Sequence, residues 1–256
     1  MKKRLATLFI VSLALMLSMV SAGRAFAAEE LIVSAASSLT NAFQDLGKKF
    51  ESKNPGVMVI CNFAASGPLL QQIEQGAPVD VFASADQKTM DQAQEKHLIV
   101  DDSRRNFAGN ELVLAVPKGS KLPIKSPGDL TGKEVSKIAV GKPETVPVGR
   151  YTQEALTNYS LWETLAPKFI YGDSVRQVLD YVARAEVDAG FVFATDAAVF
   201  KDKVDVVSVV EKHKPIVYPI AVISSSQRKE LARRFLDFTV GGEGREVLSR
   251  YGFGKP

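Results

Sequence analysis

The chain of 256 residues has one cysteine, two histidines and one tryptophan. A single cysteine excludes an internal disulfide. No two Cys or His residues stand at metal-ligand spacing, which argues against a zinc site. His97 and His213 sit among charged or polar neighbours and read as solvated surface residues. Cys61 ends the apolar run Val57–Cys61 and reads as a small buried hydrophobe. Catalytic signatures are missing too: Gly-x-Ser-x-Gly, the P-loop and Gly-x-Gly-x-x-Gly do not occur. Asp and Glu are plentiful, yet no pair stands out as a catalytic dyad. No Pro/Gly/Ser-rich linker interrupts the chain, so separately tethered domains are not expected.

Excess charge of one sign is also missing, once the N-terminus is set aside. Of 32 basic and 29 acidic residues, four basic and no acidic ones fall within positions 1–27. The remaining 229 positions carry 28 basic against 29 acidic residues, a net charge of −1. That balance excludes the broad basic face of a nucleic-acid binder. The composition, 46% hydrophobic and 24% charged, is that of a globular chain.

Residues 1–27 read as a secretory signal peptide. Lys2-Lys3-Arg4 is the basic start, Leu5 to Val20 the apolar stretch, and Ala25-Phe26-Ala27 the small-x-small cleavage pattern. The apolar stretch is short for a membrane span. No cysteine lies near the cleavage point, so a lipid anchor there is excluded. The expected product begins at Ala28, is exported, and is soluble.

Beyond residue 27, short apolar runs alternate with helical periodicity. Leu31–Val33, Val57–Phe63 and Val79–Phe82 read as strands, each followed by a helical stripe; Leu39, Ala42, Phe43, Leu46 and Phe50 form the first. Glu111–Val116 is a fourth strand. The pattern then restarts: strands at Lys137–Val140, Pro167–Tyr171, Ala189–Phe193 and Val204–Val210, with helices at Tyr151–Leu165 and along Val175, Val178, Leu179 and Val182. Ile216–Ile223 is one more apolar run, and Gln227–Tyr251 is a helical tail. This is the grammar of α/β folds with mainly parallel sheets flanked by helices. If the runs at 111–116 and 216–223 are crossovers, two lobes result, with a cleft between them. The first comprises residues 28–112 and 219–256, and the second residues 113–218.

Four strand-to-helix junctions carry the functional signal: Ala35–Asn41, Phe63–Leu69, Val146–Gly149 and Asp173–Val175. Small residues there let a ligand approach the backbone. Ser38, Ser66 and Ser174 read as helix caps, and Pro68 suits a first helical turn. In open α/β sheets, ligands bind beyond the carboxyl ends of strands. Each helix start offers unpaired N–H groups and the positive end of a dipole. Two from each lobe, converging on one cleft, make an anion site without Lys or Arg. Together with the leader and the missing catalytic motifs, this points to an exported solute-binding protein.

The segments AASSLTNA (35–42), FAASGPLLQQIEQ (63–75), GAPVDVFASADQ (76–87), GKPETVPVGRY (141–151) and RYGFG (250–254) resemble those of periplasmic molybdate-binding proteins. The resemblance spans the whole exported chain. It implies a type II periplasmic binding fold of two α/β lobes closing over molybdate, or near-isosteric tungstate. It also implies delivery to a molybdate ABC permease in the inner membrane, by a monomer without cofactor or catalysis. Carried over residue by residue, the oxyanion contacts fall on the hydroxyls of Ser38 and Ser66 and the backbone donors of Val148 and Val175. The family's fifth contact is a tyrosine hydroxyl, and its position here is Phe193, within Gly190-Phe191-Val192-Phe193. Two alternatives stay open. One is another tetrahedral oxyanion such as sulfate. The other is a serine hydrolase using Ser38 or Ser66, which needs a base that neither histidine's sequence position provides.

Overall fold

The computed structural model describes residues 28–256; the signal peptide and its cleavage after Ala27 lie outside the described residues. The chain begins with β1 (Glu29–Ala36), a 3-10 turn at Ser37–Leu39, α1 (Thr40–Lys53), β2 (Val57–Ala64), α2 (Ser66–Glu74), β3 (Val81–Ala83), α3 (Gln87–Glu95) and β4 (Arg105–Asn110). It continues with β5 (Leu112–Pro117), β6 (Ile138–Gly141), α4 (Pro147–Asn158), α5 (Trp162–Leu165), β7 (Phe169–Gly172), α6 (Val175–Ala183), β8 (Ala189–Phe193), α7 (Ala194–Val199) and β9 (Val204–Val209). It ends with β10 (Ile216–Val222), α8 (Lys229–Val240) and α9 (Gly242–Arg250).

These strands form two five-stranded sheets, ordered β2-β1-β3-β10-β4 and β7-β6-β8-β5-β9. In the first, β1 pairs in parallel with β2 and β3, while β10 runs antiparallel to β3 and β4. In the second, β6 pairs in parallel with β7 and β8, while β5 runs antiparallel to β8 and β9. One strand of each sheet is thus reversed, and in both it is a strand at a crossing between the sheets.

Parallel strands covered on both faces are apolar along their length. β1 fits that rule, with every residue from Val33 to Ala36 buried. On α1, Ala42, Phe43, Leu46, Gly47 and Phe50 form the buried face. Phe235 of α8 meets it edge-on, with ring centroids 6.2 Å from Phe43 and 5.2 Å from Phe50. Each such side chain contributes roughly 1.5–3 kcal/mol by leaving water, so α1 is held firmly against its sheet.

Local detail refines the sequence reading at several points. β4 (Arg-Asn-Phe-Ala-Gly-Asn) was not legible as a strand; its pairing with β10 stabilises it rather than its composition. The helical tail is two helices, divided where Gly241 turns extended (ψ 177°). Tyr151–Leu165, expected to be largely helical, is so in two pieces, α4 and α5, parted where Ser160 takes a left-handed conformation (φ 59°). Cys61 is half-buried, and burial followed by the nearby Glu51 charge pushes its thiol up to about 12. Trp162 packs on Phe169 with ring centroids 4.7 Å apart. His213 is less solvated than expected: it is half-buried beside Tyr151, and both ring nitrogens approach carbonyls, those of Val210 and Lys214.

Candidate functional site

Five helices or turns begin where strands of the two sheets end. β1 runs directly into the 3-10 turn holding Ser38, and β2 is followed by extended Ala65 and then Ser66, the first residue of α2. In the second sheet, extended Val146 precedes Pro147 at the start of α4, and Ser174 precedes Val175 at the start of α6. β8 ends at Phe193, immediately before α7. Ser38, Ser66 and Ala85 of the first lobe line one small cavity with Pro147, Val175 and Phe193 of the second. Its volume is only about 10 Å³, so the facing walls are nearly in contact.

Two of the three expected caps are not caps. Ser38 lies inside the 3-10 turn, and Ser66 is already helical, with no side-chain bond to its own helix start. Only Ser174 caps, its Oγ accepting the Gln177 N–H at 3.2 Å. The other two hydroxyls are buried and engaged elsewhere. Ser66 Oγ accepts the Ala85 N–H at 3.0 Å, which leaves the Ser66 proton unused by that bond. Ser38 Oγ lies 3.0 Å from the Tyr218 hydroxyl.

Val148 is fully buried one residue inside α4; Val146 and Pro147 of the same turn line the cavity, and Val148 does not. Val175 and Phe193 both line it. The Phe193 ring is buried between Tyr151 and Tyr218, at centroid distances of 6.3 and 5.9 Å, and offers no donor.

The electrostatics are built from backbone rather than side chains. Acidic residues ordinarily favour first helical turns, where they complement the dipole. α5, α7, α8 and α9 follow that habit with Glu163, Asp196, Glu230 and Glu243, the second of these beginning beside the cavity but paired with Arg176. Besides α3, the helices without an acid in the first turn are α1, α2, α4 and α6, and these four begin at the cavity. Their positive ends are left unneutralised beside the cavity. No Lys, Arg, His, Asp or Glu stands among the described lining residues.

Charged groups stand just behind this wall and tie the lobes together. Arg150 of α4 donates from Nε to Asp86 at 2.6 Å and from Nη2 to Thr89 Oγ1 at 2.7 Å. Arg176 of α6 donates to Asn41 Oδ1 at 3.0 Å and lies 2.5 Å from the fully buried Asp196. Burial pushes the Asp196 carboxyl up to about 6, against the opposing pull of Arg176. At the cavity edge, Gly67 N–H donates to Thr145 O across the cleft at 3.1 Å. A Cβ on Gly67 would stand 2.5 Å from that oxygen, so this approach requires glycine.

Two polar residues near the site escaped the sequence reading. Tyr218 lies in the apolar run of β10 and reads there as core; its signal is a hydroxyl that needs a partner when buried. Asn110 ends β4, itself unrecognised, and its Nδ2 reaches both Tyr218 Oη (3.0 Å) and Thr195 Oγ1 (2.8 Å). A larger open groove, about 700 Å³, lies where the sheets cross over, near Glu111, His213 and Lys255. It lacks the convergent helix starts, so size alone does not locate the site.

The sequence pattern of the bacterial extracellular solute-binding protein family matches residues 31–254. The chain is 41% identical to the molybdate-binding protein ModA of Escherichia coli over 243 residues, 93% of this chain and 94% of that relative. Among solved structures, the Azotobacter vinelandii periplasmic molybdate-binding protein is similar with a TM-score of 0.77 at 25% identity, covering 88% of this chain and 99% of that one. The sulfate-binding protein SubI of Mycobacterium tuberculosis has a TM-score of 0.80 at 15% identity, covering 89% of this chain and 87% of that one, a likeness of fold alone. With the match running from the first strand almost to the last residue, the chain belongs to the bacterial extracellular solute-binding protein family, in the group that holds the molybdate-binding relatives.

Proposed function

We propose that the protein captures molybdate, and tungstate as a near-isosteric second ligand, between its lobes and delivers it to an ABC permease of the inner membrane. The hydroxyls of Ser38 and Ser66 and the N–H groups of Val148 and Val175 supply the donors, and Phe193 completes the wall with apolar contact. The observation that carries this reading is the set of four helix starts without a first-turn acid, around a cavity lined by no charged side chain. Fixed dipoles and neutral donors hold a dianion there without a counter-charge.

Size and proton chemistry narrow the ligand. Organic ligands occupy pockets of roughly 300–1,000 Å³, whereas this cavity has a volume of about 10 Å³, so even a small oxyanion enters only if the lobes part slightly and an organic ligand has no room. A protonated oxyanion such as hydrogen phosphate needs an acceptor, and no carboxylate is among the described lining residues. The ligand is cargo, so the cycle is binding, lobe closure and release, with no turnover and no resident cofactor. Neither histidine lines the cavity, so neither serine has an imidazole base beside it. The working form is a periplasmic monomer freed of residues 1–27. Its lobes are residues 28–111 with 216–256, and 112–215, a few residues from the expected bounds, so that neither β5 nor β10 is divided.

Thermal melting with molybdate, tungstate, sulfate and phosphate tests the proposal. A ligand at a hundredfold excess over its Kd stabilises the fold by roughly 2.7 kcal/mol. Molybdate and tungstate are expected to raise Tm, and phosphate to leave it unchanged. A larger shift with sulfate would make sulfate the cargo, and no shift with any oxyanion would overturn the reading.

A further inference from the structure

We propose that Tyr218 is a positioning residue for the oxyanion site: its hydroxyl donates to Ser38 Oγ and thereby aims the Ser38 proton into the cavity. This deepens the molybdate reading and rests on it.

The direction of each hydrogen bond follows from Asn110. Its Oδ1 accepts the Glu111 N–H at 2.9 Å, which fixes the orientation of the amide. The two Nδ2 protons then go to Thr195 Oγ1 at 2.8 Å and Tyr218 Oη at 3.0 Å. Tyr218 Oη is therefore an acceptor toward Asn110. Its own proton must go elsewhere, because Tyr218 is fully buried and buried hydroxyls find partners. Among the described residues, the remaining polar neighbour of that hydroxyl is Ser38 Oγ at 3.0 Å. Burial also pushes the phenol well above its ordinary range, so the proton is present throughout the physiological range.

With one Ser38 lone pair occupied by Tyr218, the Ser38 proton is left for the cavity that Ser38 lines. The reverse direction would strand the phenolic proton in a buried site. Ser66 repeats the arrangement by another route, accepting from the Ala85 N–H and keeping its own proton free. Both serines are thus set as donors by groups behind them. An acceptor-only ligand, a fully deprotonated oxyanion, fits such a wall. The Tyr218 ring also stands 5.9 Å from that of Phe193, centroid to centroid, so this hydroxyl acts from the strand facing the donorless position.

The test is a double-mutant cycle read by titration calorimetry with molybdate on the exported chain. Tyr218→Phe should weaken binding about three- to tenfold, less than the loss of a direct hydrogen bond to a charged group. Ser38→Ala should weaken it more. The double variant should bind as Ser38→Ala does, because Tyr218 acts only through Ser38. Losses that multiply in the double variant would overturn the relay, as would a Tyr218→Phe affinity equal to that of wild type. If Tyr218→Phe fails to fold, Asn110→Ala replaces it in the same cycle: it frees Tyr218 Oη and predicts the same non-additivity with Ser38→Ala. Absence of molybdate binding by wild type would overturn the parent reading and the relay together; binding by wild type with a failed cycle would overturn the relay alone.

Discussion

Replacing Gly67 by alanine should separate lobe closure from folding. In the closed arrangement the new methyl would lie 2.5 Å from Thr145 O, 3.0 Å from Thr145 Cα and 3.1 Å from Thr145 C. All three are backbone atoms, so no side-chain rotation relieves the clash. The lobes must stay apart by a fraction of an ångström or more, and the Gly67 N–H to Thr145 O bond is lost with that movement. That bond is worth about 0.5–1.5 kcal/mol net, and overpacking costs about 1–3 kcal/mol. A combined penalty of about 2–3 kcal/mol corresponds to a Kd weaker by roughly 30- to 150-fold. The first lobe should not suffer, because Gly67 lies in the first turn of α2 with ordinary backbone angles, which alanine adopts at least as readily as glycine. Calorimetry with molybdate measures the affinity, and melting without ligand measures the fold. An affinity within twofold of wild type would refute the claim that the bound state brings Gly67 against Thr145.

Ser38→Ala and Ser66→Ala should each lose about ten- to a hundredfold in molybdate affinity, the worth of a hydrogen bond to a charged group. Neither side chain caps its helix, so ligand-free melting should show no cap-loss penalty; unchanged affinity in both variants would remove them from the site. Phe193→Tyr should strengthen binding by up to about tenfold if its hydroxyl meets the ligand. A less stable variant with no gain in affinity would mean that the new hydroxyl is buried without a partner. Asp196 gives a pH test. Its folded carboxyl is raised from 3.8 to about 6, so its contribution to stability is greatest below about 4 and falls as pH rises through 6. Wild-type Tm should therefore decline relative to Asp196→Asn between pH 4 and 7, and parallel Tm curves would contradict the assigned shift.

The parallel strands and their helices were legible because they are apolar on both faces and regularly spaced. β1, β6 and β8 are central and covered, so burial writes itself into Leu31, Val33, Ile138, Ala189 and Val192. β4 was not legible because an edge strand with Arg105, Asn106 and Asn110 has little to bury; β10 supplies its reason to exist. The helix starts of the candidate site were visible as small residues at strand ends. Their lack of first-turn acids was visible as well, though it has meaning only once the helices are known to converge. The lobe-to-lobe contacts Arg150–Asp86, Arg176–Asn41 and Gly67–Thr145 join residues between 64 and 135 positions apart, which no local pattern announces. Tyr218 was hidden for a different reason. In an apolar run it is indistinguishable from core until the partner of its hydroxyl is seen.

The central claim is a place, and anomalous scattering at the molybdenum edge tests it most directly. Crystals of the exported chain grown with molybdate should give one strong peak between Ser38 Oγ and Ser66 Oγ. The ligand oxygens should lie within hydrogen-bond reach, roughly 2.7–3.2 Å, of both hydroxyls and of the N–H groups of Val148 and Val175. A peak in the groove beside His213 and Lys255, or none in crystals at saturating molybdate, would contradict the account.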